Sequence, residues 1–155
     1  MVLNLKQVTR DNWRQVIALE ITDDQWRFLD SESLLYALAE IQFYPSYIPF
    51  AIYDEDTLIG CASYGYLPEN PSKWWIPLLI IDHRHQGKGY GRAAMQAIIQ
   101  RIQQEAPECR AIGLSYKPAN SVADRLYRSL GFERTDEIDE LGNTHAWLKV
   151  DPPKV

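Results

Sequence analysis

The alternation of apolar and polar positions divides the chain into short strands and amphipathic helices. Leu3, Leu5 and Val8, with polar residues between them, predict a first strand. Thr9-Arg10-Asp11-Asn12 then supplies capping residues for a short helix carrying Trp13, Val16, Ile17 and Leu19. The stretch from Glu20 to Asp30 is acidic and holds Trp26 and Phe28, so it reads either as a lid or as an aromatic anchor for the helices beside it. Ser31-Glu32-Ser33 opens a helix with Leu34, Leu38 and Ile41 on one face, ended by Pro45 and Pro49. Phe50 to Tyr53 and Leu58 to Tyr64, joined by Asp54-Glu55-Asp56, predict an antiparallel hairpin. Leu67 to Ser72, with Pro68, Asn70 and Pro71, reads as a loop before a longer apolar run from Lys73 to Asp82.

That run leads into His83-Arg84-His85-Gln86-Gly87-Lys88-Gly89-Tyr90-Gly91-Arg92, where three alternating glycines precede a helix. Met95, Ile98, Ile99 and Ile102 stand at i, i+3, i+4 and i+7, which predicts a helix from Gly91 to Gln104 with Pro107 beyond its end. Ala111 to Ser115 is a short strand, and strand, helix and strand in this order form a crossover that sets two strands parallel in one sheet. Asn120 to Leu130 is again helical, with Val122, Ala123, Leu126, Tyr127 and Leu130 predicted to face the core and Gly131 to end the helix before a strand at Phe132. Asp136 to Asn143 reads as a polar hairpin, and Thr144 to Lys149 closes the sheet. The expected fold class is α/β (α+β): a mixed sheet, antiparallel early and parallel across the glycine turn, with helices on its faces.

The glycine turn is the first stretch that points to chemistry. A strand, a glycine-rich turn and a helix start together present unpaired backbone N–H groups and a positive dipole end, which makes a seat for a phosphate. The spacing Gly-x-Gly-x-Gly differs from a dinucleotide-binding fingerprint, and no acidic residue ends the next strand to hold a ribose. Lys88 stands among the glycines and is not followed by Ser or Thr, so a Walker phosphate loop is excluded as well.

Composition changes this picture little. A chain of 155 residues suffices for one domain, placed at residues 1–150 with a short tail at 151–155. The formal net charge of −5 argues against a nucleic-acid partner, which would need a basic face, and mildly suits a cationic substrate. No apolar run reaches about 18 residues and no charged-then-apolar segment opens the chain, so a cytoplasmic protein without a membrane partner is expected. Cys61 and Cys109 read as small core residues. His83 and His85 lack partner ligands and read as solvated loop residues, so no metal is expected.

Two longer motifs make the reading specific. Gln86-Gly87-Lys88-Gly89-Tyr90-Gly91 matches the Q/R-x-x-G-x-G/A loop of the GCN5-related N-acetyltransferase (GNAT) superfamily, and Asn120 to Phe132 matches its N-x-x-A-x-x-L-Y-x-x-x-G-F signature. The chain resembles that superfamily over nearly its whole length. Within it, the chain is similar to bacterial diamine and spermine/spermidine acetyltransferases, through Leu5 to Asn12, Ile81 to Gly91 and Phe132 to Leu141.

The resemblance implies a mostly antiparallel sheet splayed between two parallel strands, here Lys73 to Asp82 and Ala111 to Ser115, with acetyl-CoA as co-substrate in the gap. Backbone groups near Leu79, Ile80 and Ile81 would pair with the pantetheine amides, and the pyrophosphate would sit on the amides of Gly87 to Arg92. Gln86, Lys88, Gly89, Tyr90, Gly91 and Arg92 belong to that cofactor set; Lys88 and Arg92 either add charge there or are solvated. Asn120 would orient the cofactor and the helix start, and Tyr127 would be the general acid for the departing CoA thiolate. The implied reaction is direct acetyl transfer to a primary amine of a small molecule, such as a polyamine, by an enzyme for which a homodimer is expected.

One departure matters. Where that group carries two charged residues on the strand before the loop, this chain has Pro77 and Leu78, and neither accepts a proton. Glu20, Glu40 and Glu69 are candidates for the base, none with a matched motif behind it, and Glu20, Trp26 and Trp75 are candidates for acceptor contact. The departure leaves two alternatives: a peptide N-terminus or antibiotic amine as acceptor, or a CoA-binding module without turnover.

Overall fold

In the computed structural model, which describes residues 2–153, the strands are β1 (Leu3–Gln7), β2 (Ile48–Asp54), β3 (Thr57–Leu67), β4 (Asn70–Ile81), β5 (Ala111–Tyr116), β6 (Glu133–Ile138) and β7 (Thr144–Lys149). They form one seven-stranded sheet in the order β1-β2-β3-β4-β5-β7-β6. The pairs β1–β2, β2–β3, β3–β4, β5–β7 and β6–β7 are antiparallel; β4 and β5 are parallel. Of the tail assigned to 151–155, Asp151 to Pro153 have no regular structure, and 154 and 155 lie outside the described residues, as does residue 1.

Helices cover both faces, each seating its apolar stripe on the strands beneath. On one face, α1 (Trp13–Ile17) and α3 (Leu34–Ile41) bury Val16, Leu34, Leu38 and Ile41 against Ala51, Cys61, Leu78 and Ile80. The short α2 (Asp23–Trp26) lies between them in sequence, and Trp26 packs on the edge of this cluster. The opposite face carries α4 (Tyr90–Glu105), whose Met95, Ile98 and Ile102 are fully buried against Ile52, Ile59 and Ile112. Burying side chains of this size stabilises the fold by about 1.5–3 kcal/mol each. Cys61 and Cys109 are buried here and unpaired, and burial pushes the Cys61 thiol up to about 12.

The parallel pairing of β4 with β5 lasts for three residue pairs, Lys73–Ala111, Trp74–Ile112 and Trp75–Gly113, and then stops. On the other edge, Ser63 of β3 opposes Leu78 while Gly65 opposes Trp75, so β4 has one residue more than β3 in this interval, a bulge at Ile76–Pro77. Pro77 has no N–H to give a ladder, and a bulge beside an opening gap is a position that needs none. The extra residue also exchanges the faces of the strand. Before it, Trp74 and Ile76 point to the α4 side; after it, Leu78 and Ile80 point to the α1–α3 side, while Leu79 and Ile81 point to the α4 side.

Several sequence expectations need correction. Leu67 to Ser72 is not a loop: Leu67 pairs with Asn70, and Pro68–Glu69 alone make the turn, since the strand-start position of Pro71 tolerates proline. Pro49 lies inside β2 rather than at the end of a helix, and Asp136 lies in β6 rather than in the turn. Val122, expected in the core, is 74% exposed, and α5 (Ser121–Ser129) has no fully buried residue. Ala123, Tyr127 and Leu130 still pack against the core on the α4 side, as expected, while Val122 and Leu126 border a cavity.

Candidate active site

The gap left where β4 and β5 part is the head of a cavity of about 570 Å³. Its floor is Leu79, Ile80 and Ile81, one wall is the glycine turn with the start of α4, and the other is Asn120, Ala123 and Tyr127 of α5 and its cap. Ile21, Gln25, Phe28 and Leu29 close it from the connection between α1 and α3. From that acidic stretch Phe28 lines the cavity, while Trp26 packs against the core.

The glycine turn has the backbone of an anion seat. Gly87 and Gly89 have φ of 75° and 86°, a region that costs other L-residues roughly 1–2 kcal/mol, and a Cβ built on either would meet nothing within 4 Å. Gly89 caps α4 through its backbone alone, and the first bond of the helix runs from the Ala93 N–H to the Gly89 carbonyl. The N–H groups of Tyr90, Gly91 and Arg92 in that first turn are therefore the ones a helix start leaves for a ligand. Tyr90, Gly91 and Arg92 all line the cavity, whereas Lys88 is exposed outside its lining.

Side chains around the loop hold it in place. Asp82, fully buried at the end of β4, accepts the N–H of Glu20 at 2.9 Å and that of Arg84 at 3.0 Å, and binds the Arg84 guanidinium at 2.8 and 3.0 Å. Those bonds, the Arg84 guanidinium foremost, outweigh burial and hold its carboxyl well below the usual carboxylate range. Gln86, expected among the cofactor contacts, donates to the Ile81 carbonyl at 2.7 Å and exchanges amide hydrogen bonds with Gln25, itself part of the capping box of α2. Its side chain is engaged with the protein, tying the loop to β4 and to α2. Arg92 bonds the Ser129 hydroxyl, and the Tyr90 hydroxyl bonds Asp54.

Asn120 accepts the Ala123 N–H at 3.1 Å and so caps α5 while bordering the cavity. Tyr127, two turns on, packs against Tyr116 and Phe132 at ring separations of 5.3 and 5.9 Å and lines the same cavity. Burial pushes its phenol up to about 12, so it stays protonated through the neutral range.

The acceptor-side candidates stand apart from this cavity. Glu20 uses its backbone on Asp82 and His83, and its exposed carboxylate lies 3.7 Å from His83. Glu40 and Glu69 are exposed, on α3 and on the β3–β4 turn. Trp75 meets His145 edge to face and packs at a tilt against Trp147 on the sheet face opposite α4. Cavity-lining residues the sequence did not single out are Ile21, Gln25 and Leu29; Phe28, His85 and Leu126 were named there in other roles, as lid or anchor, solvated loop residue and core residue. No group of three or more His, Cys, Asp or Glu able to hold a metal occurs among the described residues. No described helix is long and apolar enough to cross a membrane.

A splayed parallel pair, a glycine-rich helix start and a tyrosine-bearing helix around one cleft define a protein built to hold a long phosphate-bearing cofactor edge-on to its sheet. Residues 13–132 match the model of the acetyltransferase (GNAT) family, and the chain belongs to that family and is an N-acetyltransferase. It is 34% identical over 144 residues to the spermine/spermidine N(1)-acetyltransferase of Bacillus subtilis (strain 168), covering 90% of this chain and 93% of that one. In fold it is similar to spermidine N-acetyltransferase from Vibrio cholerae, solved with CoA and spermine (TM-score 0.75, 19% identity, 95% of each chain). It is equally similar in fold to the aminoglycoside acetyltransferase AAC(6')-Ib solved with coenzyme A (TM-score 0.77, 19% identity, 95% and 94% of the two chains).

Proposed function

We propose that this enzyme transfers the acetyl group of acetyl-CoA to a primary amine of a polyamine of the spermine or spermidine class. The observation that carries the acceptor is the 34% identity to a spermine/spermidine N(1)-acetyltransferase along almost the whole of both chains. The cleft fits the co-substrate: Gly87 and Gly89 leave open space for a phosphate against the backbone, and β4 beyond Trp75 has a free edge for an extended pantetheine arm. In this reading Leu79, Ile80 and Ile81 offer that edge, and the amides of Gly87 to Arg92 hold the pyrophosphate. Arg92 adds positive charge, and Lys88 does so from outside the lining. A net charge of −5 favours a cationic acceptor, and action in the cytoplasm is part of this reading.

In this reading Tyr127 is the proton donor. A phenol raised to about 12 is a weaker acid than a thiol near ~8.5, so moving its proton to the sulfur is uphill by about 5 kcal/mol unless it accompanies C–S cleavage. Buried against the cavity, the hydroxyl therefore acts first as a hydrogen-bond donor to the sulfur and gives up its proton as negative charge develops there.

The test is CoA release from acetyl-CoA in the presence of spermine, spermidine, diamines, an aminoglycoside and a peptide with a free N-terminus. Spermine or spermidine should give the highest kcat/KM, at least tenfold above the aminoglycoside and the peptide. Turnover confined to the peptide or the aminoglycoside would replace the acceptor, and none with any amine would leave only a CoA-binding module.

A further inference from the structure

We infer that His145, oriented by Asp139, is the proton acceptor for the attacking amine, taking the place of the charged residues absent at Pro77 and Leu78. The inference rests on the acetyl-transfer reading above. Neither sequence motif includes His145; its position emerges only when the register of three strands is followed.

Gly113 of β5 lies between Trp75 of β4 and Trp147 of β7, paired with both, and the next-but-one residue, Ser115, pairs with His145. A Cβ on Gly113 would come within 2.7 Å of the Trp147 ring, so that ring lies directly over the glycine. Trp75 reaches both neighbours, with ring centroids 5.5 Å from Trp147 and 5.1 Å from His145. Ile112, Leu114 and Ala146, of opposite parity, point into the core beneath α4, which puts the three rings on the other face of the sheet. Trp75–Gly113 is also the last pair before β4 and β5 separate. The platform therefore stands at the closed end of the gap, on the sheet face away from Tyr127, with His145 one strand in from the gap, beside Ser115 of β5 and in ring contact with Trp75.

The imidazole is fixed as a base should be. Its Nε2 lies 3.0 Å from Asp139 Oδ2, and the other Asp139 oxygen accepts the N–H groups of Leu141 at 3.0 Å and Asn143 at 2.9 Å. Burial raises the Asp139 carboxyl, and the hydrogen bonds from Asn143, His145 and Leu141 overcome this to hold it below its ordinary value. A carboxylate at Nε2 keeps the proton on that nitrogen and leaves the Nδ1 lone pair available. Nδ1 has no hydrogen-bond partner among the described residues, and the side chain is 27% exposed, enough to meet an acceptor or a water from solvent. The turn that carries Asp139 is itself secured: Asn143 bonds Asp30, to which Lys117 also binds at 2.9 Å.

Proton and electron bookkeeping closes without another reagent. The amine, having lost its extra proton to solvent, attacks the thioester carbon with its lone pair and forms the C–N bond. Its remaining surplus N–H proton passes to His145 Nδ1, and the imidazolium is held by the Asp139 carboxylate. The C–S bond breaks, the sulfur leaves with the bonding pair, and Tyr127 protonates it. His145 then returns its proton to solvent and Tyr127 regains one. Other charged groups near the imidazole are Lys73, whose Nζ lies 5.2 Å from the Trp147 ring centre, Glu133 across from Trp147, Lys149 further along β7, and the Asp30–Lys117 pair. Among the described residues only Asp139 bonds the ring.

The experiment compares the wild type with His145→Gln, His145→Ala and Asp139→Asn, using acetyl-CoA and the best amine from the acceptor panel. Acetyl-CoA affinity should stay within twofold in all of them, since none lines its cavity. At saturating amine, kcat should fall about 100-fold in both His145 variants, within the range for a lost general base. The acid limb of the kcat–pH profile should vanish in His145→Gln, and Asp139→Asn should lower kcat, because the imidazolium loses the carboxylate that holds Nε2. Added imidazole should restore part of the rate of His145→Ala. A His145→Gln enzyme with wild-type kcat and acid limb overturns the inference, as does a loss in His145→Ala that imidazole does not relieve while the limb persists. If the wild type itself transfers acetyl to no amine, the reading beneath the inference fails and the inference with it; turnover that is indifferent to His145 sinks the inference alone.

Discussion

The two halves of β4, Asn-Pro-Ser-Lys-Trp-Trp and, after Ile76, Pro-Leu-Leu-Ile-Ile, differ in composition and in pairing. In the first half Asn70, Trp74 and Trp75 pair with β3 and Lys73 to Trp75 pair with β5; in the second, Leu78 to Ile81 pair with β3 only. The first half is ordinary sheet, carrying Trp74 toward one core and Trp75 toward the aromatic platform. The second half keeps a bare edge, and its residues floor the cavity. One bulge separates the two, so a single extra residue precedes the free edge and re-aims every side chain beyond it. Pro77, which at first sight is a catalytic defect, occupies the point where a missing N–H does least harm.

The largest effect that sharpens this comparison is expected beside the second half. Tyr127→Phe should lower kcat about 100-fold or more while acetyl-CoA still binds, measured by CoA release and by calorimetry. Because the phenol is raised to about 12, the wild type should show no loss of kcat from ionisation of Tyr127 up to about pH 10. A loss of affinity without a loss of kcat would reduce Tyr127 to a packing residue.

Next is Asp82→Asn, which removes the charge that fixes the end of the second half to Arg84 and to the Glu20 backbone. Urea unfolding should show a loss of about 2–3 kcal/mol, the scale of hydrogen bonds to a charged group. The folded Asp82 carboxyl titrates below its unfolded value, so its contribution is full above about pH 4 and is lost as pH falls further, while the Asn variant lacks that part of the acid sensitivity. A smaller effect is expected at the loop: Gly89→Ala, forced to φ near 86°, should cost about 1–2 kcal/mol of stability and roughly tenfold in acetyl-CoA affinity. An alanine there with unchanged affinity would mean that the loop backbone does not approach the ligand.

What the sequence disclosed follows from how local each feature is. The glycine turn, the α4 stripe and the Asn120–Phe132 signature were legible because each is written in consecutive residues and fixes its own backbone. The order of elements and the parallel crossover followed from them. The separation of β4 from β5 follows from the family resemblance rather than from periodicity, while the site of the bulge and the His145–Asp139 pair depend on register between strands distant in sequence, for which periodicity carries no signal. Val122 was misassigned for a related reason: an apolar helical stripe has the same spacing whether it meets a core or borders a ligand cavity. Leu67 to Ser72 was misread because two prolines and an asparagine resemble a loop, although a two-residue turn uses only Pro68 and Glu69.

The central claim, that the second half of β4 with the glycine turn is the edge that holds acetyl-CoA, is tested most directly by amide hydrogen exchange with and without acetyl-CoA. The account predicts slowed exchange within Leu78 to Ile81 and Gly87 to Arg92, and no change from Lys73 to Trp75. Protection that appears instead around Phe50, Tyr64 and Trp74, which line a separate cavity of about 370 Å³, or protection that leaves Leu78 to Arg92 untouched, would contradict it.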